Sequence, residues 1–296
     1  MGYDEFSMLA DNASEVGLPF TPPVVARTDV EVMAGQRVSA LVWGYGEPEL
    51  VLIHGGAQNA HTWDTVALAL GRPLVAIDLP GHGHSGWRDD GAYGPVDNAA
   101  ALAVAINELA PKAAGVVGMS LGGMTAIVLA SRHPELVRSA VIVDVTPGTD
   151  HAKAEPIIAF VDGPEIFESF DEILQRTIQF NPTRTESSLR RGVLHNAYER
   201  DDGTWSWRYD RMNRMRSDAA DQKLDFSELW DDVSAIQCPL LLVRGGSSGV
   251  VGDEDVDEWK RRKPSSEVVV VEGAGHSVQG DKPVELAALI ERFVFS

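Results

Sequence analysis

Short apolar runs punctuate the chain at near-regular intervals. Glu49 to Ile53, Leu74 to Asp78, Gly115 to Val117, Ser139 to Val143, Pro239 to Val243 and Glu267 to Val271 show little polar alternation. That is the pattern of strands buried on both faces. Between them, apolar residues recur at helical spacing around Thr62 to Leu70, over Asp97 to Leu109, Leu121 to Arg132 and Asp253 to Lys263, and over a terminal helix, Val284 to Phe295. The second of these ends at Pro111 and the third stops before Pro134, since a proline disfavours helical geometry in the residue before it. Ahead of the series, Val24 to Met33 and Val38 to Trp43 read as two strands joined by a turn at Ala34-Gly35-Gln36. Residues 1–23 read as an extended arm with room for one short helix. Alternating strand and helix predicts an α/β fold: a mostly parallel sheet with helices on both faces, binding ligands beyond the carboxyl ends of its strands.

The rhythm breaks between Thr149 and Ile236. Ile157 to Phe160, Glu165 to Phe180 and Thr185 to Ala197 look helical, and Tyr198 to Asp210, with Asp202-Gly203 inside it, looks like a hairpin. The expected division is an arm (1–23), a core in two pieces (24–148 and 237–296) and a mainly helical cap inserted at 149–236. The alternation Trp205-x-Trp207-x-Tyr209 puts three rings on one face. They either fill the cap interior or line a substrate pocket. Arg208, Arg211, Arg214 and Arg216 alternate with Asp and Met and read as a solvated or internally paired face.

Composition narrows the partners. The 296 residues are 44% hydrophobic and 23% charged, ordinary for a globular protein, with a formal net charge of −19. That charge disfavours nucleic acid and anionic membrane surfaces. No stretch reaches the roughly 18 apolar residues a membrane span needs. The first twenty residues lack a basic start and an apolar core, so no signal peptide is expected and a cytoplasmic location follows. The single cysteine, Cys238, rules out an internal disulfide and reads as a structural thiol. A small-molecule substrate fits best, without a cofactor or metal; a homodimer stays open.

The chemistry gathers at strand ends. Gly118-x-Ser120-x-Gly122-Gly123 lies between a strand and a helix. A chain turning that sharply strains its corner residue and crowds its neighbours, so the flanks must lack bulk. The corner side chain then stands above the sheet, at the positive end of a helix and beside free backbone N–H groups, where a serine can attack a carbonyl. His54-Gly55-Gly56-Ala57 follows another strand and can aim N–H groups at a developing oxyanion. A serine hydroxyl needs an adjacent base, and the base an anion to hold its tautomer. His276, in a Gly-rich turn after the last strand, is the candidate base. His82 and His84 lie in a Pro/Gly turn without a third metal ligand at suitable spacing, which favours structural roles.

Together, His54-Gly55-Gly56, Asp78-x-Pro80-Gly81-His82-Gly83-x-Ser85, Gly118-x-Ser120-x-Gly122 and Gly273-x-Gly275-His276 resemble the α/β-hydrolase superfamily over residues 24–296. The resemblance implies Ser120 as nucleophile, His276 as base, and an oxyanion hole from the N–H groups of Leu121 and Gly56, with Ala57 the adjacent option. The acid departs from the common pattern. Many members carry it a few residues past the strand that here ends at Val243, where this chain has Ser248. Asp144, at the end of the strand after the elbow helix, matches a placement used by other members and keeps the Ser–acid–His order. Asp253 is the alternative, although it and Asp255 stand where capping of a helix start explains them. A serine elbow argues against the dehalogenase and epoxide hydrolase branches, which use a carboxylate there. The expected reaction is hydrolysis of a carboxylic ester or lactone of a medium-sized, largely apolar molecule through an acyl-enzyme. Carbon–carbon bond hydrolysis of the meta-cleavage-product type is an alternative, weakened by Ser277 where those relatives carry an aromatic residue. A perhydrolase, or a small-molecule receptor built on the same fold, also stays open.

Overall fold

The computed structural model describes residues 3–181, 184–211 and 225–296. Eight strands form the main sheet: β1 (Val25–Met33), β2 (Gln36–Trp43), β3 (Leu50–Ile53), β4 (Leu74–Ile77), β5 (Gly115–Met119), β6 (Ala140–Val143), and two later ones at Leu240–Gly245 and Glu267–Val271. Three short cap strands come between, β7 (Ile166–Phe167), β8 (Ala197–Glu199) and β9 (Trp205–Trp207), so the two late strands are β10 and β11. The sheet order is β1-β2-β4-β3-β5-β6-β10-β11. Strands β1, β2 and β4 pair antiparallel and the remaining pairs are parallel.

The buried strands obey the two-residue period even though both faces are covered. Val51 and Ile53 enter one core cluster, Leu50 and Leu52 the other. The first face is packed by α3 (Pro95–Leu109) and α4 (Leu121–Arg132). The opposite face is packed by α1 (Leu9–Glu15), α2 (Asp64–Leu70) and the terminal helix Pro283–Phe295. The N-terminal arm therefore holds a short helix, whose Leu9 is buried in that second core.

The segment expected to form a cap contains α5 (His151–Val161), α6 (Phe170–Phe180), α7 (Glu186–Asn196) and the sheet β7-β9-β8. One expectation fails here. Glu165 to Phe180 is not one helix, because Ile166 and Phe167 pair with Ser206 and Trp205 as a strand. The helix starts only after Ser169, whose side chain accepts the Glu172 N–H. The hairpin at 198–210 forms, with β8 against β9. Arg214 and Arg216 lie outside the described residues. A further helix, α8 (Leu229–Ala235), buries Leu229, Trp230 and Val233 in the first core cluster. We propose that the insertion ends ahead of this helix rather than at Ile236.

Candidate active site

Parallel strands β3, β5, β6 and β10 end on one rim, and each delivers a site residue there. At the end of β5, Ser120 has φ 51° and ψ −120°, in the positive-φ region that strains a non-glycine residue. Its glycine neighbours are forced by contact. A Cβ on Gly118 would lie 2.2 Å from the Gly122 carbonyl oxygen, and one on Gly122 would lie 2.4 Å from the oxygens of Ile53 and His54. No side chain fits at either position, so the elbow and the end of β3 are locked together by backbone contact.

Asp144, at the end of β6, also has a positive φ (50°) and is fully buried. Its carboxylate accepts three hydrogen bonds: the Gly245 N–H on Oδ1 at 2.8 Å, and both the Ser248 hydroxyl (2.5 Å) and His276 Nδ1 (2.8 Å) on Oδ2. A buried anion is tolerable only when satisfied in this way. Bonding to the carboxylate fixes the His276 tautomer with its proton on Nδ1, leaving Nε2 as the basic nitrogen. Nε2 is buried and, among the described residues, has no hydrogen-bond partner, so no bond to Ser120 is formed here. Such bonds are often long without substrate. Asp253 does not reach this group: its side chain is 92% exposed and paired with Arg244. Asp255, in the first turn of the helix Asp253–Arg262, accepts the Gly252 N–H at 2.7 Å. Cys238, which the sequence placed as a structural thiol, is half-buried and free, and its burial raises the thiol pKa.

The loop after β3 packs against the elbow. A Cβ on Gly55 would lie 3.1 Å from Ser120 Cβ, and one on Gly56 would lie 4.0 Å from a Leu121 methyl, so this loop runs against both Ser120 and Leu121. His54 braces this loop from beneath. Its Nδ1–H meets the Gly55 carbonyl at 2.6 Å and its Nε2 accepts the Leu79 N–H at 2.9 Å. Full burial, with His82 beside it, lowers its pKa to about 3, so the ring is neutral. Asp78 ties the same loop to the Pro/Gly turn, accepting the N–H groups of Ala60 (2.7 Å) and His84 (2.9 Å). His82 and His84 thus sit in a structural turn: His82 is buried against His54 and Tyr209. Ala57 adopts φ 59°, and its carbonyl accepts from Asn196 Nδ2 at 2.6 Å.

The three rings pack mainly in the cap interior. Trp207 and Tyr209 are buried with Phe167, Ile173, Leu174 and Leu189, and Trp205 packs edge-on to Phe170 at 5.1 Å. The same cluster takes in Ala57, so these rings and the loop after β3 touch. Sequence reasoning missed two further contributors. Ser248 donates to the Asp144 carboxylate, and Asn196 joins α7 to the loop after β3. Neither lies near its partner along the chain, and no local motif marks either.

With this geometry in view, comparison with known proteins places the chain. Residues 50–289 match the model of the alpha/beta hydrolase family, and the chain belongs to that family. It is 48% identical over 296 residues to the Mycobacterium tuberculosis esterase Rv0045c, covering 98% of this chain and 95% of the relative. A structure of that esterase, from work on its transition-metal inhibition, aligns with a TM-score of 0.87 at 45% identity, covering 100% of both chains. The Xenopus laevis sn-1-specific diacylglycerol lipase ABHD11 is 30% identical over 264 residues, covering 84% of this chain and 80% of the lipase. Among the described residues no helix is long and apolar enough to cross a membrane.

Proposed function

We propose that this protein is a serine esterase that hydrolyses a medium-sized, largely apolar carboxylic ester through an acyl-enzyme, with Ser120 as nucleophile, His276 as base and Asp144 as the orienting acid. The observation carrying the assignment is the 2.8 Å bond between His276 Nδ1 and the buried Asp144 carboxylate, on the rim where Ser120 occupies the strained elbow. The whole-length likeness to an esterase supports the reaction class.

Ser120 Oγ attacks the ester carbonyl carbon while His276 Nε2 takes its proton. Charge then builds on the former carbonyl oxygen, beside the N–H groups of Leu121 and Gly56, with the Ala57 N–H adjacent. Collapse breaks the bond to the alcohol oxygen, which leaves with the proton held on His276. A water, deprotonated by the same nitrogen, attacks the acyl carbon; the carboxylic acid departs and Ser120 regains its proton. Asp144 stays ionised and stabilises the imidazolium in both halves. Trp205, Trp207 and Tyr209 support the cap beside the oxyanion loop and shape access for the apolar part of the substrate.

Turnover of p-nitrophenyl esters of increasing chain length tests this reading. Steady hydrolysis that disappears in Ser120→Ala, with burst-phase acylation in the parent protein, is the expected result. Binding without turnover would point to a receptor on a hydrolase fold. Cleavage of a β-diketone with no ester turnover would point to carbon–carbon bond hydrolysis.

A further inference from the structure

The loop after β3 holds a shape that its own residues resist. Ala57 adopts φ 59°, a left-handed conformation that strains any residue with a Cβ and persists only where the surroundings impose it. Glycine would take it freely, but the Ala57 methyl is packed in the cluster with Trp207 and Tyr209. The N–H groups of Gly55 and Gln58 are paired inside the loop, at 3.1 Å with Gln58 Oε1 and at 3.3 Å with the Gly55 carbonyl. Between them, the N–H groups of Gly56 and Ala57 have no partner among the described residues. Two consecutive donors are thus left open in a loop that runs against Ser120.

The constraint on Ala57 comes from another part of the chain. Asn196, the last residue of α7, donates from Nδ2 to the Ala57 carbonyl at 2.6 Å, and its Oδ1 accepts from Asn59 Nδ2 at 3.2 Å. Asn59 Nδ2 also reaches the His195 carbonyl at 3.0 Å, and Asn59 Oδ1 accepts the His61 N–H at 3.0 Å. The two amides form one relay whose direction is fixed at both ends. A backbone N–H at one end requires the Asn59 oxygen, and a backbone carbonyl at the other requires the Asn196 nitrogen. The main chain of Asn196 is pinned as well, its carbonyl accepting the Arg208 N–H at 2.8 Å. The N-terminal arm anchors the rest of α7. Tyr3 bonds His195 Nδ1 at 2.6 Å, and Arg191 bonds Asn12 Oδ1 at 2.7 Å and pairs with Glu15.

We propose that Asn196 is a positioning residue for ester hydrolysis: its amide holds Ala57 in the left-handed turn that aims the Gly56 and Ala57 N–H groups at the oxyanion. The proposal rests on the oxyanion hole proposed above. Asn196 acts through the loop and forms no bond with the reacting atoms. The charge those donors meet exists only after Ser120 has attacked. Losing the amide therefore costs turnover and leaves substrate binding almost untouched. On this account the segment inserted between β6 and β10 does more than cover the rim, since its helix α7 supplies one support of the reacting centre.

Two substitutions in the full-length protein test this. Asn196→Ala removes the donor; Asn196→Asp keeps the shape but sets a carboxylate oxygen against the Ala57 carbonyl. Turnover of a p-nitrophenyl ester is counted per serine titrated with a phosphonate, so that unfolded protein does not enter the rate. Two ketones of equal length complete the set. A trifluoromethyl ketone bonds its carbonyl carbon to Ser120 Oγ, passes the hydroxyl proton to His276 and leaves a tetrahedral oxyanion; its methyl counterpart stays trigonal. The expected result for Asn196→Ala is a kcat lower by roughly 10–100-fold with KM within about twofold, and no smaller a loss for Asn196→Asp. Affinity for the trifluoromethyl ketone falls by the same factor as kcat, and affinity for the methyl ketone does not. The proposal is overturned if kcat in Asn196→Ala stays within about twofold of the parent, if Asn196→Asp works as well as the parent, or if kcat falls while the trifluoromethyl ketone binds as before. Should Asn196→Ala fail to fold, Asn196→Asp decides. A parent protein that turns over no ester and binds both ketones alike would sink the oxyanion hole itself; a parent that passes both checks and is matched by Asn196→Ala sinks the role of Asn196 alone.

Discussion

The main sheet and the cap solve different problems. In the sheet, every central strand is buried on both faces and its neighbours fix where it ends, so a residue one position past a strand has little freedom. Ser120 and Asp144 occupy such positions, both at positive φ, and neither could be held there by a surface loop. The inserted segment is assembled from helices α5, α6 and α7, two- and three-residue strands and rings packed mostly edge to face, and its contacts with the core include Ala57, the Asn196 side chain and the His195 carbonyl. The sheet sets Ser120 and Asp144 on one rim. On the function proposed above, the separately packed insertion acts as a lid that governs what reaches them.

The largest effect that could break this contrast is chemical. Asp144→Asn should lower kcat by about 10³–10⁴-fold, as loss of a triad acid does, while exposed Asp253→Asn should leave ester turnover within about twofold. The reverse result would move the acid out of the frame. Next comes the lid. Trp207→Ala empties a buried ring site and should cost the cap about 3–5 kcal/mol, read as a lower melting temperature. Turnover of a short ester should change far less than turnover of a long one; equal losses on both would show that lid and frame are not separable.

Acid sharpens the comparison further. His54 is neutral in the fold, with its pKa lowered to about 3 by burial, whereas the unfolded chain titrates near 6.5. The unfolded state therefore binds the extra proton first. Stability from this group is complete above about pH 6.5 and is lost progressively as pH falls toward 3, by roughly 2 kcal/mol at pH 5. Chemical denaturation at pH 7 and pH 5 should show this drop in the parent protein and a smaller one in His54→Gln. Matching slopes would mean the oxyanion loop is not the acid-sensitive part of the frame. The smallest effect belongs to Ser248→Ala. Losing one hydrogen bond to the Asp144 carboxylate should lower kcat about tenfold with KM unchanged. A change in KM alone would place Ser248 on the substrate side instead.

Much of the frame was legible because local pattern and tertiary role agree there. Leu50 to Ile53 and Ala140 to Val143 are apolar throughout because both faces of the sheet are covered, and Ser120 and Asp144 follow such runs directly. The glycines around Ser120 announce a close approach that the contacts bear out. The cap was harder to read. Ile166 and Phe167 become a strand only through pairing with Ser206 and Trp205, about forty residues further along the chain. The Ser169-x-x-Glu172 signature of a helix start was present in the sequence, yet the apolar spacing ran across it. The Ser248–Asp144 and Asn196–Ala57 bonds join residues more than a hundred positions apart, so no window along the chain contains both partners.

The hydroxyl of Ser248 has one more implication. It bonds the same Asp144 oxygen that His276 Nδ1 bonds, so the ends of β6 and β10 bring two side chains together beside one imidazole. A negative charge can pass from one of these positions to the other through two substitutions, serine for aspartate and aspartate for serine, with the ring left in place. Descent within such a fold can thus relocate a charge while the proton's route is preserved.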